Sequence, residues 1–464
     1  MNETAIEALR QRLFDRVRTD EEAIAAHLHD QWVLSVLRAM EKRAPRPACV
    51  VRPWTTEEVA IVLEIADRER VPVVPFGAGS GVCGGAVGPE GAIVVSLRSM
   101  DRVLELEERS MTVRTQPGVL GGDLEEWLQQ RGYTMGHFPQ SIAISSVGGW
   151  VSTRASGQLS TKYGNIEDML LAFEAVLPGG RIVRTRPVPR TATGPDLRAF
   201  FLGSEGTLGI VTEATFRVHP APESTLRRTY SFADFHSGLE TIRAVTRGGW
   251  RPAVVRLYDG VEAGRSFAGI APDGHSLLLV HCEGANALVS AEAQAVAAGA
   301  RANGGEDRGT EAVERWFEQR NHVPSFESFL ERGLVVDTLE VAAGWDRIHE
   351  LYDDVISALE SVEGMLVASG HSSHSYTQGT NIYFTFAARP ASMADAETLY
   401  FRCRDAALGA TLGAGGTISH HHGVGRQRAA WMRRELGTAY ELLIALKHTV
   451  DPHGIMNPGA LYGD

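Results

Sequence analysis

The sequence predicts an α+β protein, and three observations carry that prediction. Short apolar segments of strand length alternate with amphipathic helical segments over short connections. Beyond Pro220-Ala-Pro222 the pattern changes, from glycine clusters to longer apolar strands and an alanine-rich helix. At 464 residues the chain has room for two or three domains with ample core.

Taken in order, residues 1–45 read as a helical segment ending at Ala44-Pro-Arg-Pro47. Thr55-Thr-Glu-Glu58 is a capping box, and Val59, Val62, Leu63 and Ala66 follow it at helical spacing. Strands are expected at 71–76, 92–97 and 112–116, then a helix with Leu124, Trp127 and Leu128 on one face, ended by Arg131-Gly132. In the second half, Ala253–Tyr258 and Ser276–Val280 read as strands and 286–302 as a helix. Strand 334–341, helix 346–360 and strands 364–369 and 380–387 follow. The expected domains are an N-terminal helical segment (1–45), a ligand-binding domain (46–223), an α/β cap (224–414) and a returning C-terminal segment (415–464).

Two glycine clusters mark a ligand cradle. Gly148-Gly-Trp-Val-Ser-Thr-Arg-Ala-Ser-Gly157 is too rich in glycine and small hydroxyls for a good helix, and is expected as irregular backbone with bare N–H groups. The other, Pro75-Phe-Gly-Ala-Gly-Ser-Gly-Val-Cys-Gly-Gly85, formally contains G-x-G-x-x-G at Gly79, Gly81 and Gly84. A Rossmann fingerprint must open a helix, whereas this loop leads into the strand Ala92–Leu97. Backbone amides approaching a diphosphate fit; a nicotinamide dinucleotide fold does not.

Taken with Val113–Gly118 and Phe201–Glu213, these blocks resemble the flavin-binding domain of the vanillyl-alcohol-oxidase (PCMH-type) FAD enzymes over residues 46–223. The resemblance implies a two-subdomain flavin domain plus the cap, with non-covalent FAD, since no histidine stands in the Pro75–Gly85 loop. It places FAD on Pro75, Phe76, Gly77, Ala78, Gly79, Ser80 and Gly81. It adds Gln140, Ser141, Ser145, Ser146, Ser152, Thr153, Arg154 and Ala155, and then Glu205, Gly206, Thr207, Leu208, Gly209, Ile210 and Val211.

A narrower resemblance rests on Ser146–Gly157, Tyr163–Asp168, Thr193-Gly-Pro-Asp196 and above all Ser419-His-His-His-Gly-Val-Gly425. These are similar to the alkyldihydroxyacetonephosphate synthase family of ether-lipid synthesis. Sister D-lactate and glycolate dehydrogenases carry Glu-His-Gly where His421 begins this match. The resemblance implies exchange of an acyl group on dihydroxyacetone phosphate for a fatty alcohol, without net redox. A FAD-dependent D-2-hydroxyacid dehydrogenase is the alternative.

By that resemblance Tyr376, followed by Gly379 and Ile382-Tyr383-Phe384, is the catalytic acid/base. His420, His421 and His422 poise the proton and leaving group, Arg256 is essential for activity, and Arg320 binds substrate. Thr377 stands where the family has Asp, and Pro458-Gly-Ala460 where it has Asn-Arg-Asn. The residues themselves say less. A phenol needs a cationic neighbourhood to act as a base. Arg256, inside an apolar strand, needs an anion. Tyr383 is the rival phenol, set in a strand. If the three histidines form a strand, His420 and His422 share a face. Metal binding, with His371 and His374 nearby, is the rival role; without H-x-x-x-H or H-E-x-x-H spacing or a nearby cysteine, no metal is expected.

The net charge of −12 argues against nucleic-acid partners. No apolar run reaches the roughly 18 residues a bilayer span needs. Peripheral membrane contact and a homodimer both remain compatible with the chain, whose substrate is expected to be a small lipid-like molecule or a 2-hydroxyacid. The start Met1-Asn-Glu-Thr has no signal-peptide character, the four cysteines are scattered, and the tail lacks a peroxisomal address. A cytoplasmic, bacterial-type protein is expected.

Overall fold

Runs of Val and Ile in the first hundred residues build a small sheet that is half parallel. The computed structural model describes residues 2–323 and 325–463. Its first sheet runs Val17–Arg18, Cys49–Val51, Ile93–Ser96, Val73–Phe76, with the last three strands parallel. Parallel neighbours need a crossover, and helix Thr56–Glu69 supplies it. The Thr55 side chain accepts from Glu58 N, and the helix ends at Arg70 in left-handed backbone. It buries Val59, Val62, Leu63, Ile65 and Ala66, each large apolar side chain contributing about 1.5–3 kcal/mol. The second sheet, Val103–Glu107, Thr112–Thr115, Ile210–Arg217, Leu170–Val176, Ile182–Arg184, is wholly antiparallel.

The cap is one seven-stranded antiparallel sheet, ordered Glu306–Asp307, Ser224–Phe232, Ser276–Gly284, Val254–Tyr258, Met365–Ser372, Gly379–Ala388, Val335–Gly344. Strand alternation sorts its side chains. Val255, Leu257, Leu278, Val280, Leu339, Val341, Ile382 and Phe384 join one core with residues of helices Phe235–Arg247, Asn286–Ala302, Ile348–Glu360 and Ala396–Gly413. Val254, Tyr258, Leu277 and Leu279 point the other way, into the core of the flavin-type domain. Arg256 shares their face, so the cap turns its polar side chains towards that domain.

Several sequence expectations need correction. Residues 1–45 do not form a helical unit of their own. Helix Asn2–Leu13 shares a core with helix Thr56–Glu69, Val17–Arg18 is a strand, and Trp32–Leu37 enter the cap core. The Gly148–Gly157 stretch is not irregular throughout: Val147–Thr153 is helical, with the Ser146 side chain accepting from Gly149 N. Burial of Val147, Trp150 and Val151 there outweighs the poor propensity of the glycines. The three histidines form no strand; the segment makes one bridge, Thr417 to Ala342, and then turns. Strands Val103–Glu107 and Ser224–Phe232 and helices Phe235–Arg247 and Ala396–Gly413 were not anticipated. All four cysteines are buried and free, and no helix among the described residues is long and apolar enough to cross a membrane.

Candidate active site

Antiparallel register sets a row of polar side chains across the cap. Tyr258 is paired with His371, His371 with Tyr383, and Tyr383 with Glu340, so the four share one face. Arg256 stands two residues from Tyr258 on that face. Its Nε donates to the Tyr258 hydroxyl at 2.6 Å and its Nη2 to His371 Nε2 at 2.6 Å. His371 Nδ1 lies 3.1 Å from both carboxylate oxygens of Glu262. An accepting Nε2 and a donating Nδ1 define one neutral tautomer. Burial, and then the Arg256 charge, depress His371 accordingly. Among the described residues Arg256 forms no ion pair, so the anion its strand position calls for would be a ligand's.

The histidine segment hangs on one buried ion pair. Arg428 donates to Glu340 Oε1 at 2.9 Å and Oε2 at 2.6 Å, and both residues are fully buried. Glu340 Oε1 also accepts from the Ser419 hydroxyl and from the backbone N–H groups of His421 and His422. Burial opposes ionisation of Glu340, yet Arg428 and His422 hold its carboxyl well below the usual range. His422 Nδ1 stands 2.9 Å from Glu340 Oε2, at an angle that makes no hydrogen bond.

Against this anchor the segment presents His420 to Tyr376. The Tyr376 hydroxyl lies 2.8 Å from His420 Nε2, and Asn165 Nδ2 donates to the same oxygen at 2.8 Å. His420 Nδ1 is 2.9 Å from His421 Nδ1. Burial raises the phenol above its usual range and brings His420 down to about 4, so both are neutral near pH 7. If Tyr376 donates to Nε2, then Nδ1–H donates onward to His421. The result is a proton path across three side chains.

Arg320 caps helix Glu311–Gln319 and donates to Gln158 Oε1 at 3.3 Å. Burial lowers it to about 10. Its guanidinium carbon lies 5.6 Å from the Trp316 ring centre, and that of Arg256 lies 5.8 Å from the same ring. The two arginines assigned by resemblance therefore flank one indole.

The segments expected to hold flavin converge. A Cβ on Gly77 would stand 2.4 Å from Ser146 Oγ, one on Gly206 2.6 Å from Pro75, and Glu205 N donates to Ser152 O. Among the described residues the N–H groups of Ala78, Gly79 and Ser80 have no backbone acceptor, as a cradle for diphosphate oxygens would require. Gly79 has φ +69°, and a Cβ there would meet Phe76 at 2.6 Å. This cradle fits the expected diphosphate. Other assigned residues have protein partners: Ser145 accepts from Trp150, Gln140 donates to the carbonyl of His322, Arg154 pairs with Glu167, and Thr207 donates to the Ser204 carbonyl. The Glu205 carboxylate holds Val424 N and Gly425 N, docking the C-terminal segment on the cradle. Ile210 and Val211 begin a core strand and are buried.

Sequence reasoning missed Asn165, Glu340 and Arg428. Asn165 lay inside a recognised block, but nothing in a sequence shows that two carboxylate oxygens will meet an arginine 88 residues away. It also set the metal rival aside, on the lack of metal-binding helix spacing, of a nearby cysteine and of the glutamate that dehydrogenase relatives carry. Nitrogens of His374, His420 and His421 lie within 4.8 Å of one another, close enough to hold a cation among the described residues. His374 is otherwise held by the Ser160 hydroxyl at 2.6 Å.

Comparison with known proteins fits this geometry. Residues 47–186 match the FAD binding domain family, and residues 221–461 match the C-terminal domain of FAD linked oxidases. An uncharacterized FAD-linked oxidoreductase of Escherichia coli (strain K12) is 34% identical over 463 residues, covering 97% of this chain and 96% of its own. The alkyldihydroxyacetonephosphate synthase of Trypanosoma brucei brucei is 31% identical over 505 residues, covering 98% of this chain and 80% of its own. A solved alkyldihydroxyacetonephosphate synthase superposes with a TM-score of 0.83 at 26% identity, over 98% of this chain and 85% of that one. Substrate-bound p-cresol methylhydroxylase shares the fold, with a TM-score of 0.78 at 20% identity, over 100% of this chain and 97% of that one.

Proposed function

The chain belongs to the FAD-linked oxidase family, and from that premise we propose that it exchanges the acyl group of an acyl-dihydroxyacetone phosphate for a fatty alcohol without net redox change. Its cofactor is FAD. When bound, FAD supplies a ring able to take up and return an electron pair beside the substrate. The carrying observation is the contact from Asn165 through the Tyr376 hydroxyl to His420 and His421.

Burial raises the Tyr376 phenol, so a free phenolate is not the working form. A concerted shift avoids it. A substrate proton reaches the phenol oxygen as the phenol proton leaves for His420 Nε2, and Nδ1–H passes to His421. Asn165 steadies the oxygen throughout. The reverse shift returns a proton to the product. One carbon–oxygen bond to the acyloxy group breaks and one to the alkoxy group forms, so no electron acceptor is consumed. Arg320 and Arg256 hold the substrate anion, and His422, beside Glu340, stands by the departing carboxylate.

The second reading, a FAD-dependent 2-hydroxyacid dehydrogenase, is favoured by one observation. The His374, His420 and His421 nitrogens could hold a divalent cation that polarises a hydroxyl group. Anaerobic incubation of the holoenzyme separates the two. With palmitoyl-dihydroxyacetone phosphate and hexadecanol, palmitate release without any electron acceptor is expected. D-Lactate or glycolate should leave the flavin oxidised. Stoichiometric bleaching by a hydroxy acid, abolished by a chelator and without ester exchange, overturns the synthase reading in favour of the dehydrogenase.

A further inference from the structure

Two arginines beside Trp316 leave a third unexplained. Arg227 lies on strand Ser224–Phe232, where register pairs it with His281 and His281 with Val254, two residues from Arg256. Arg227 and Arg256 thus share the face of the cap sheet that looks towards the flavin domain, with backbones about 12 Å apart, two inter-strand spacings across and two residues along. The Arg227 guanidinium carbon stacks 4.0 Å from the Phe317 ring centre, and that of Arg320 lies 4.8 Å from the same ring. Trp316 and Phe317 are 5.0 Å apart and perpendicular. Three guanidinium groups therefore gather on two adjoining aromatic rings.

None of the three forms an ion pair among the described residues. Among the described residues no carboxylate oxygen lies within 4.0 Å of their nitrogens. The nearby Glu283 is engaged on both oxygens, by the Tyr163 hydroxyl at 2.5 Å and by His281 Nε2 at 2.8 Å. Arg227 Nε is buried without a hydrogen-bond partner. Stacking satisfies the face of a guanidinium and leaves its N–H edge to meet an oxyanion. Burial is the main cause that depresses Arg320; the Glu283 charge opposes it, and the Arg227 charge adds to it, as expected of cations held close together.

We propose that Arg227 completes a three-arginine clamp for a phosphate dianion and is the residue that selects a phosphate ester over a monocarboxylate. A carboxylate offers two oxygens and one charge, enough for one fork. A phosphate monoester offers three terminal oxygens and nearly two charges, which suits three. The substrate identity rests on the exchange reading above; the anion rests on geometry alone.

The test titrates FAD-loaded enzyme calorimetrically with inorganic phosphate, and separately with acetate. Wild type should bind phosphate at least tenfold more tightly than acetate. Arg227→Gln should weaken phosphate about tenfold and barely change acetate, as expected for loss of a charge-assisted contact. Arg227→Lys, which keeps the charge and loses the fork, should fall between. Equal phosphate binding by wild type and Arg227→Gln, or no preference for phosphate in wild type, overturns the clamp. Because the titration needs no turnover, a phosphate preference without ester exchange would refute the reaction and keep the clamp. Exchange at unchanged KM in Arg227→Gln would do the opposite.

Discussion

At the scale of single residues, the site turns on a phenol that burial makes a poor acid. Tyr376 works only with somewhere for its proton to go, and His420 at 2.8 Å is that place. Tyr376→Phe should keep FAD and the fold, because the ring stays and only the hydroxyl is lost. Turnover should fall by about two orders of magnitude or more, the usual scale for a general acid/base; near-normal turnover would move the role to Tyr383 or a histidine. Tyr376 and the histidines were legible in the sequence because their blocks match a known family. Asn165, which fixes the phenol from behind, was legible only as part of a motif. Tyr383 read as a strand residue, and so it is, but its face also carries it onto His371, with ring centres 4.8 Å apart. Periodicity shows that a strand alternates; it does not show what will lie against each face.

At the scale of elements, two loops are held by opposite means. Among the described residues the amides of Ala78, Gly79 and Ser80 find no backbone acceptor, and Gly79 must hold φ +69° hard against Phe76. Gly79→Val should therefore yield folded protein that purifies without yellow colour, whereas wild type should release its FAD on acid precipitation. A fully loaded variant would place the cradle elsewhere. The histidine segment is instead pinned by Glu340 and Arg428. Glu340→Gln strands a fully buried guanidinium, a change that typically costs about 3–5 kcal/mol. The urea midpoint should fall accordingly, and the Tyr376–His420 contact should loosen with it. A variant of wild-type stability would mean that Arg428 finds another partner. The glycine loop could be read from composition, since bare backbone needs small residues. The helix Val147–Thr153 could not, because Trp150 and Val151 form it by packing against residues far away in sequence.

At the scale of the whole molecule, histidines buried in both halves make acid a common enemy. Burial is the first cause of depression for each of seven imidazoles. His137 is lowered to about 3 and His420 to about 4, His374 and His421 lie well below their ordinary value, and His27, His219 and His371 are also lowered. In the unfolded chain these groups titrate near 6.5. Between about pH 6.5 and 4 the unfolded chain therefore binds protons that the folded chain refuses, and stability must fall as pH falls. Each fully excluded imidazole removes about 1.4 kcal/mol per pH unit in that window. Glu205 runs the other way: burial lifts it to about 7, so its contribution declines as pH rises from its unfolded value. Glu340, held low, contributes above the ordinary carboxylate range and loses that contribution in acid, on the same side as the histidines. Asp30, Glu125 and Asp259 are raised by burial as well, so four carboxyls oppose seven imidazoles and the balance stays with the histidines. The urea midpoint of the FAD-loaded protein should thus drop steadily from pH 7 to pH 5, at constant ionic strength. A flat profile, or a midpoint that rises towards pH 5, would mean that protons reach these rings in the folded protein. The neutral His420 on which the proton path depends would then be lost over the same range.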